Sequence, residues 1–494
     1  MRLSMVGIGA VLTSEDGYVK VVDLLPGSPA LADGHLKIDD RITGIAQGQG
    51  EFIDVGGMRL DKVLDKIRGK AGTLVRLEVM PSRATDPSQR KVVAIVRREI
   101  RLKDEEAKAE IVQPDGEGGT AQRLGWISIP SFYGDDDPAD SKHAKSLTRD
   151  VHKLLKRLEE ENIRGLVLDL RGDGGGLLAE AVSLSGLFVG KGPIVQVKGG
   201  DGRIEIAKSS GSVVYDGPLV VLTDRLTASA AELFSGALQD YGRAVIAGGE
   251  RTFGKGTVQA VLEIGDYMRA RSRDKDQAGA LQLTIAKFYR VAGGSPQLLG
   301  IIPDVHMPSP EDLPNSGESA EKDPLPYDEI LPVPFKKIAA HPLFVPELQA
   351  RSIARVAASP EFACLLEDWR SDARNLTLNR TSLNEAVRRA ALAEDRARES
   401  QRAVERAKRG PLPEKTYLVT LDNVRKPGLQ LVSSGQLAGP LDDERKTTDR
   451  STEGDAGKAL AVDAVREETL HVLSDLIALS HSQKSASEAT HPVP

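Results

Sequence analysis

Ser229 and Lys255 are the two side chains of this sequence whose types and surroundings predict covalent chemistry. Ser229 lies in DRLTASAAELF, residues 224–234, where an apolar strand gives way to a helical pattern. Lys255 lies in the Gly-Lys-Gly turn of GGERTFGKGTVQ, residues 248–259, and its flanking glycines and Phe253 favour a buried turn. Burial disfavours the charged form of a lysine, and a neutral amine can take the proton of a serine hydroxyl. The pair predicts a hydrolase with Ser-Lys chemistry, a variant of the serine–histidine–aspartate triad.

A purely structural role for both residues stays open on these two segments alone. A serine near a helix start usually caps the helix, and most lysines are simply solvated. The sequence does not indicate a histidine as the base, because it has no G-x-S-x-G elbow and neither segment contains a histidine. The eight histidines are at positions 35, 143, 152, 306, 341, 471, 481 and 491.

Gln259 and Asp240 are the polar residues that could assist this pair. Gln259 follows Lys255 by four residues, so it shares a face with the lysine in a helix or in a strand, and its amide could orient the amine. Asp240 is near the end of the helix that begins at Ser229, where the helix dipole disfavours a carboxylate. We expect Asp240 to have a specific partner, Arg243 or a backbone turn, and a structural role.

A glycine-rich segment, DLRGDGGG at residues 169–176, directly follows a predicted strand. Successive glycines let backbone N–H groups point into a site, as an oxyanion hole requires. Phosphate binding is the rival use, but neither the P-loop nor the dinucleotide-binding pattern fits. The amide of Ala230, at the start of the helix, is a candidate second donor.

The surrounding pattern predicts an α/β multidomain protein. Residues 1–101 read as short strands around one helix, and from about residue 122 strands alternate with helices, which predicts a partly parallel α/β layer. A Pro-rich acidic linker follows at 308–326, and beyond it the chain is mostly helical, with a polar and disordered tail after Ser480. Strands are expected at 8–12, 18–25, 41–45, 74–79, 124–132, 165–170, 194–197 and 219–222, and helices at 59–67, 141–161, 178–187, 382–410 (with a Ser382/Glu385 capping box) and 455–479.

The composition of the chain limits which partners and which cellular compartment are expected. The 494 residues are 40% hydrophobic and 28% charged with a net charge of −6, which argues against nucleic acid as a partner. The sequence contains no stretch of eighteen apolar residues, so it predicts no membrane span. The single cysteine, Cys364, excludes a disulfide within the chain. The start, MRLSMVGIGAVL, does not make a signal peptide, so by itself the chain reads as cytosolic.

Taken together, the segments resemble the carboxy-terminal processing proteases, in particular the bacterial tail-specific subfamily. The resemblance extends from about residue 7 to residue 305 and continues more weakly into the helical C-terminal region. It implies that Ser229 is the nucleophile, Lys255 the general base and Gln259 the residue that orients the lysine. It further implies an oxyanion hole at Gly175, Gly176 and Ala230, and it matches Asp240 to an acidic residue that some assignments place in the charge-relay set. The matching segments are GIGAVL (7–12), DLRGDGGG (169–176), VSLSGLF (182–188), GPIVQV (192–197), DRLTASAAELF (224–234), ALQDYGRA (237–244), TFGKGTVQ (252–259) and KFYRVAGGS…GIIPDV (287–305).

By the same resemblance, residues 1–101 form a PDZ domain, residues 102–310 a protease core of the crotonase/Clp-like α/β type, and residues 311–494 the linker and a mainly helical C-terminal domain. Gly7, Ile8, Gly9 and Ala10 match the loop that binds the free carboxylate of a peptide, which adds a strand to the domain. An ordinary β-hairpin entry is the alternative for this loop.

Three departures from the family pattern stand out. Ala231 replaces a usual second serine, which we expect to remove only a helix-surface hydroxyl. One additional glycine places Lys255 twenty-six residues after Ser229, and we expect a turn to absorb it. Asp39-Asp40 stands where Gly-Asp is common, which predicts a distorted turn. The family's export signal and N-terminal helical region have no counterpart here, so we expect the chain to be a fragment or to have a misassigned start.

The sequence therefore predicts a serine endopeptidase with Ser-Lys catalysis that selects proteins by their apolar C-terminal tails. The resemblance implies that the reaction needs no metal ion and no cofactor. It also implies a periplasmic protein, with an adaptor protein as a candidate partner. An inactive PDZ scaffold is the main alternative, although Ser229, Lys255, Gln259 and the glycines are all present. A crotonase-type enzyme that acts on thioesters is the other, and it leaves the PDZ segment unexplained.

Overall fold

The N-terminal region is built on an antiparallel sheet of short strands. The computed structural model describes residues 4–432 and 463–490, apart from residues 16, 26, 83, 85, 87, 102–104, 115–121, 136–144, 269–277, 339–341, 381 and 410–413. The elements of this region are β1 (Ser4–Gly7), β2 (Ala10–Glu15), β3 (Tyr18–Leu24), α1 (Pro29–Asp33), β4 (Arg41–Gln47), β5 (Ile53–Asp54), α2 (Leu60–Ile67), β6 (Leu74–Met80), β7 (Lys91–Val96) and β8 (Arg98–Arg101). The sheet has the order β2-β3-β4-β6-β7, so β2 is an edge strand.

Alternation of buried and partly buried residues explains this sheet. In β6, Val75, Leu77 and Val79 are buried and point to one core, where Val63 and Ile67 of α2 join them. The predictions for β3, β4, β6 and α2 are confirmed.

The strand predicted at residues 8–12 is wrong in its first two residues. Strand β2 begins only at Ala10. Ile8 and Gly9 form a loop, because their carbonyl groups accept the N–H groups of Ala30 and Leu25, both at 2.9 Å, and Gly9 has a φ of 74°.

A mixed sheet of eight strands forms the centre of the molecule, in the order β18-β15-β14-β11-β10-β9-β19-β20. Its strands β10, β11, β14, β15 and β18 are parallel, as the alternation of strands and helices predicts. The elements of this region are β9 (Lys108–Pro114), β10 (Leu124–Ser128), α3 (Leu147–Glu160), β11 (Leu166–Asp169), α4 (Leu178–Val189), β12 (Gly192–Gly199), β13 (Ile204–Ser209), β14 (Leu219–Thr223), α5 (Ala230–Asp240), β15 (Val245–Gly248), β16 (Thr257–Glu263), α6 (Ile264–Tyr267), β17 (Ala280–Arg290), β18 (Val305–His306), β19 (Glu414–Val419) and β20 (Gln430–Val432).

Both faces of this sheet are covered, which explains its continuous apolar runs. Leu168 and Val221 pack into one core with α3, α4 and α5, whereas Val167 and Val220 pack into a second core on the opposite face. Two predicted bounds differ from the structure. The strand expected at 124–132 ends at Ser128, and the helix expected from 141 begins at Leu147, where Ser146 caps it through the Arg149 N–H.

A second, antiparallel sheet with the order β13-β12-β17-β16 stands beside the central one. Its edge strand β16 follows the Gly-Lys-Gly turn directly, so this sheet carries Gln259. Helix α5 lies against β12 and β17 of this sheet and therefore connects the two sheets.

The C-terminal region covers the second face of the central sheet and also extends it. Its helices are α7 (Val345–Ala358), α8 (Pro360–Leu378), α9 (Glu385–Arg409) and α10 (Ala464–Thr490). Helix α10 packs so closely on the sheet that a Cβ added to Gly165 would lie 2.8 Å from Leu473 Cδ1. Strand β19 pairs with β9 over six residues, a contribution to the central sheet that the helical pattern of this region does not predict.

Two local predictions in this region are wrong. Asn384, and not Ser382, caps α9, because its Oδ1 accepts the N–H groups of Ala386 and Val387 at 2.9 and 3.3 Å. The expected disordered tail after Ser480 is helical as far as Thr490. The first residues of the helix predicted from Asp455 lie outside the described residues. Within the described part of the chain, no helix is both long and apolar enough to span a membrane.

Candidate active site

Ser229 lies where β14 leads into α5, at the N-terminal end of the helix. Its φ of 56° and ψ of −115° fall in a region that non-glycine residues rarely adopt, and such strain is common at functional sites. The residue is partly exposed, although its neighbours Ala228 and Ala230 are buried. The turn therefore presents the hydroxyl at the surface of a buried segment, as the nucleophile turn of α/β-hydrolases does.

A buried carboxylate, that of Glu232, holds the serine segment and the lysine segment together. One of its oxygens, Oε2, accepts the backbone N–H groups of Ser229 and Lys255, each at 2.8 Å. The other oxygen accepts the Gly254 N–H at 2.6 Å and the Thr252 hydroxyl at 2.5 Å. Burial raises the pKa of Glu232 to about 7, although these four donors oppose the rise. Sequence analysis missed this residue, but its spacing of three from Ser229 is the capping-box signature.

Lys255 and Gln259 meet as the sequence predicts. The lysine Nζ donates to Gln259 Oε1 at 3.2 Å, and Gln282 Nε2 donates to the same oxygen at 2.7 Å. Gln259 lies on β16 and Gln282 on β17, so the hairpin fixes the amide that receives the lysine. Lys255 itself is partly buried, between the buried glycines Gly254 and Gly256.

The turn around Lys255 is held from its second side by residues 295–298. Gly256 donates its N–H to Gln297 Oε1 at 2.8 Å, and the Gly254 carbonyl accepts the Leu298 N–H at 2.8 Å. A Cβ on Gly256 would lie 2.7 Å from the Gln297 nitrogen, so only glycine fits there. The additional glycine upstream is accommodated at the end of β15, where Asp312 Oδ1 lies 2.5 Å from the Cβ position of Gly249.

The three amides predicted for the oxyanion hole differ in their availability. The Gly175 N–H donates to Asp173 Oδ1 at 2.7 Å and is therefore occupied. Within the described residues, the N–H groups of Gly176 and Ala230 donate to no protein acceptor. A Cβ on Gly175 would lie 2.9 Å from the Ala230 nitrogen, so the loop packs directly on the nucleophile turn.

Asp224 joins this glycine loop to the serine segment. Its carboxylate accepts the N–H of Gly172 at 3.0 Å and that of Thr227 at 2.9 Å. Burial and the neighbouring carboxylate of Glu311 raise the pKa of Asp224 to about 6. Sequence analysis missed this residue as well, because its partners on the loop are more than fifty positions away.

The glycine loop also has a contact with the C-terminal region. Arg171 pairs with Asp169 at 2.8 Å and donates to Asp463, which precedes α10, at 2.9 Å. Asp463 Oδ1 additionally accepts the Arg466 N–H, so it caps the first turn of α10. No local pattern in the sequence predicts this contact, because its partners are almost three hundred residues apart.

Asp240 is not brought to Ser229 or Lys255. It is at the opposite end of α5, roughly 15 Å along the helix axis from Ser229. Its carboxylate forms a two-bond ion pair with Arg290, at 2.5 and 3.2 Å, and not with the expected Arg243. Arg243 instead donates to backbone carbonyl groups, that of Tyr215 among them at 2.8 Å.

Two departures from the family pattern differ from expectation. Ala231 is completely buried in the core, so a serine there would not be on the helix surface. Asp39 keeps the turn by adopting a left-handed φ of 68°, which aspartate tolerates better than most residues. Asp40 is buried and pairs with Lys91 at 2.8 Å.

The loop predicted to bind a peptide carboxylate lies at the start of edge strand β2. Gly7 ends β1, Ile8 is buried, and Ala10 begins β2. A Cβ on Gly9 would lie 2.2 Å from Ser28 Cβ, so the loop is closed tightly over the start of α1.

Comparisons with known proteins agree with this architecture. Residues 3–80 match the PDZ domain, residues 123–307 match peptidase family S41, and residues 312–478 match the C-terminal domain of tail specific protease. The tail-specific protease of Haemophilus influenzae is 37% identical over 413 residues, which are 83% of this chain and 56% of that protein. The carboxy-terminal-processing protease of Bartonella bacilliformis is 31% identical over 309 residues, 62% of each chain.

A solved structure, the photosystem II D1 C-terminal processing protease, is 27% identical with a TM-score of 0.35, and the match covers 62% of this chain and 73% of that one. The chain spans less than two thirds of the length of either curated relative above.

Proposed function

Because the chain carries a peptidase family S41 domain between a PDZ domain and the C-terminal domain of a tail specific protease, we propose that it is a serine endopeptidase that selects substrates by their C-terminal tails. Ser229 is the nucleophile and Lys255 the general base. The substrates are proteins whose last residues are apolar.

The contacts of Glu232 are the observation that carries this proposal. A single buried oxygen accepts the backbone N–H groups of both Ser229 and Lys255. The positions of the nucleophile and the base are therefore coupled, as two groups that share one proton require. A capping box alone accounts for the contact with Ser229, whereas a solvated lysine would not need its backbone N–H held by the same buried oxygen.

In the first step the Ser229 hydroxyl oxygen attacks the scissile carbonyl carbon, and the neutral Lys255 amine takes its proton. Gln259 accepts a hydrogen bond from the amine, which keeps Nζ directed towards the site. The N–H groups of Gly176 and Ala230 stabilise the negative oxygen of the tetrahedral intermediate.

Lys255 then returns the proton to the leaving amine, and an acyl-enzyme on Ser229 remains. Water attacks this ester with Lys255 again as the base, which releases the acid product and restores the serine. Lys255 is only partly buried in the free protein, so a bound substrate would exclude the remaining water from it.

Tail recognition is proposed for the PDZ domain. Edge strand β2 can accept an additional strand, and the loop that precedes it contains successive backbone amides. Three partly buried apolar residues pack against the PDZ core: Leu12 on β2, Met58 just before α2, and Leu60 at the start of α2. This surface supports a preference for an apolar terminal side chain. The periplasmic setting and an adaptor stay predictions from the resemblance.

An unfolded reporter protein with an apolar C-terminal tail, incubated with the parent or with Ser229→Ala, tests the proposal. A reporter with a charged tail is the matched substrate. We expect cleavage by the parent alone and faster cleavage of the apolar-tailed reporter. Equal cleavage by Ser229→Ala would exclude this nucleophile. Binding of the apolar tail without cleavage by either protein would identify a scaffold.

A further inference from the structure

Asp173 is a carboxyl group enclosed by the glycine loop, and one of its oxygens lacks a partner. The residue is completely buried. Its Oδ1 accepts the Gly175 N–H at 2.7 Å, whereas Oδ2 has no hydrogen bond to any described residue. An ionised carboxylate inside a protein needs donors or a cation for both oxygens. The surroundings of Asp173 therefore suit its neutral form.

The neighbouring charge has the same effect. Asp224, which ties the glycine loop to the serine segment, is the charged group that most affects Asp173. Burial raises the pKa of Asp173 well above its usual range, the Gly175 N–H opposes the rise, and Asp224 adds to it.

Other ionisable groups belong to the loop and to the segments next to it, and Glu311 is close enough to Asp224 to raise its pKa. Arg171, on the loop itself, is engaged by Asp169 and Asp463. Glu232 comes from the first turn of α5 and Lys255 from the turn before β16.

Gly175, whose N–H binds Asp173 Oδ1, also packs against the proposed reacting atoms. The Cβ position of Gly175 is 2.8 Å from Ser229 Cβ and 2.9 Å from the nitrogen of Ala230, a proposed oxyanion donor. The Asp173 carbonyl also accepts the Ala228 N–H at 2.8 Å, directly before the nucleophile. A charge on Asp173 would thus lie next to the place where the transition state develops negative charge.

We propose that Asp173 is a positioning residue that works in its protonated form: it holds Gly175 against Ser229 through Oδ1 while it keeps the oxyanion site free of negative charge. The inference rests on the proposed peptidase function. It adds a buried acidic side chain beside the proposed oxyanion donors, and it predicts how the reaction depends on pH.

The sign of this dependence follows from the two groups. Lys255 as a base makes the rate rise with pH. Asp173 is neutral below its pKa, so its contribution is complete at lower pH and is lost as the pH rises through that value. We expect an alkaline decrease of roughly tenfold in kcat, because a buried negative charge repels the oxyanion.

The test compares the pH profile of kcat, with the apolar-tailed reporter, for the parent, Asp173→Asn and Asp173→Ala. Asparagine keeps an acceptor for the Gly175 N–H but cannot ionise, so we expect the alkaline limb to disappear. Alanine leaves that N–H without its acceptor, and kcat should fall roughly tenfold or more at every pH. Asp201→Asn, in the exposed turn between β12 and β13, is the matched control and should keep the parent's profile.

A second measurement does not depend on activity. The raised pKa means that the contribution of Asp173 to stability is complete below the pKa of an unfolded aspartate, about 4, and is lost as the pH rises towards its folded value. The asparagine of Asp173→Asn does not titrate, so this variant does not lose stability in the same way. The free energy of unfolding of the variant minus that of the parent, measured in urea titrations, should therefore increase as the pH rises through this range.

The two measurements separate the possible failures. A parent that cleaves nothing overturns the proposed function, and the unfolding comparison still decides whether Asp173 holds a proton. A parent that cleaves, with an alkaline limb unchanged in Asp173→Asn, overturns the inference alone. A difference in unfolding free energy that is constant with pH also overturns it.

Discussion

Glu232 is the residue on which the geometry of the site depends most. Four donors from two segments of the chain converge on its carboxylate, and none of them belongs to a side chain with a full positive charge. Such a carboxylate is costly to bury, but its hydrogen bonds fix the backbone on either side of the proposed reaction. The position of the base relative to the nucleophile is thus a property of a third residue.

The first prediction concerns the base. Replacing Lys255 by alanine should lower kcat by on the order of 10⁴-fold or more, because it removes the proposed acceptor of the serine proton. Binding of an apolar-tailed peptide, measured by fluorescence anisotropy, should not change, since the PDZ loop is separate from the lysine. Lys208→Ala, at an exposed position of β13, is the control. Cleavage at the parent's rate by Lys255→Ala would remove lysine from the mechanism.

The second prediction concerns the shared acceptor. Glu232→Gln places an amide NH₂ against two of the four donors, so kcat should fall at least roughly tenfold and the free energy of unfolding by about 1–3 kcal/mol. Steady-state kinetics and urea titration measure the two effects. Glu263→Gln, exposed on β16, should change neither.

Glu232 also predicts an acid limb. Its pKa of about 7 means that it gains a proton as the pH falls below neutrality. The protonated oxygen then carries an O–H group that faces N–H or O–H donors and can no longer accept hydrogen bonds from all of them. We expect kcat to decrease below about pH 7 for this reason. A decrease that is absent between pH 7 and pH 5 would contradict this role for Glu232.

At the scale of elements, the loop between β11 and α4 must approach the start of α5 without side chains in the way. Gly175 has a φ of 97° and no room for a Cβ, whereas Gly174 beside it faces open space. Of these two adjacent glycines, only Gly175 is required by its backbone conformation and by packing.

The third prediction uses this difference. Gly175→Ala should displace the loop from Ser229 and lower kcat by roughly 100-fold, about the effect of losing an oxyanion donor. Gly174→Ala has no atom within 4 Å of the new Cβ and is the matched control. Equal activity of the two variants would mean that the loop takes no part in the reaction.

At the scale of the whole molecule, the C-terminal region forms one packed body with the central sheet that carries the candidate site. Helix α10 covers one face of the central sheet, and β19 extends the sheet beyond β9. Through Asp463 the same helix reaches Arg171 at the start of the glycine loop. Anything that displaces α10 should consequently displace the loop.

The fourth prediction follows from this contact. Asp463→Asn weakens the pair with Arg171, and we expect kcat to fall several-fold while the affinity for an apolar-tailed peptide stays the same. Asp475→Asn is the control, because it removes ion pairs of α10 with Arg351 and Arg355 on α7 and leaves the loop contact intact. A loss of kcat in both variants alike would indicate general destabilisation of the helix.

Much of this protein was determined by its sequence alone. Apolar periodicity predicted β3, β4, β6 and α2 of the PDZ region and β10, β11 and β14 of the central sheet, because a residue's side of a strand or helix depends only on its near neighbours. The same local logic placed Ser229 at a strand-to-helix junction and Lys255 in a glycine turn with Gln259 within reach.

Only the tertiary structure decided which distant groups meet. Glu232 binds the backbone of Lys255, Arg290 takes the carboxylate of Asp240, and Asp463 reaches the glycine loop. Strand β19 likewise joins a sheet whose members, apart from β20, precede it by more than a hundred residues. These contacts leave no periodic trace in the sequence, since they depend on how complete elements pack. For the same reason the proton on Asp173 could not be foreseen: it follows from burial, which a sequence does not state.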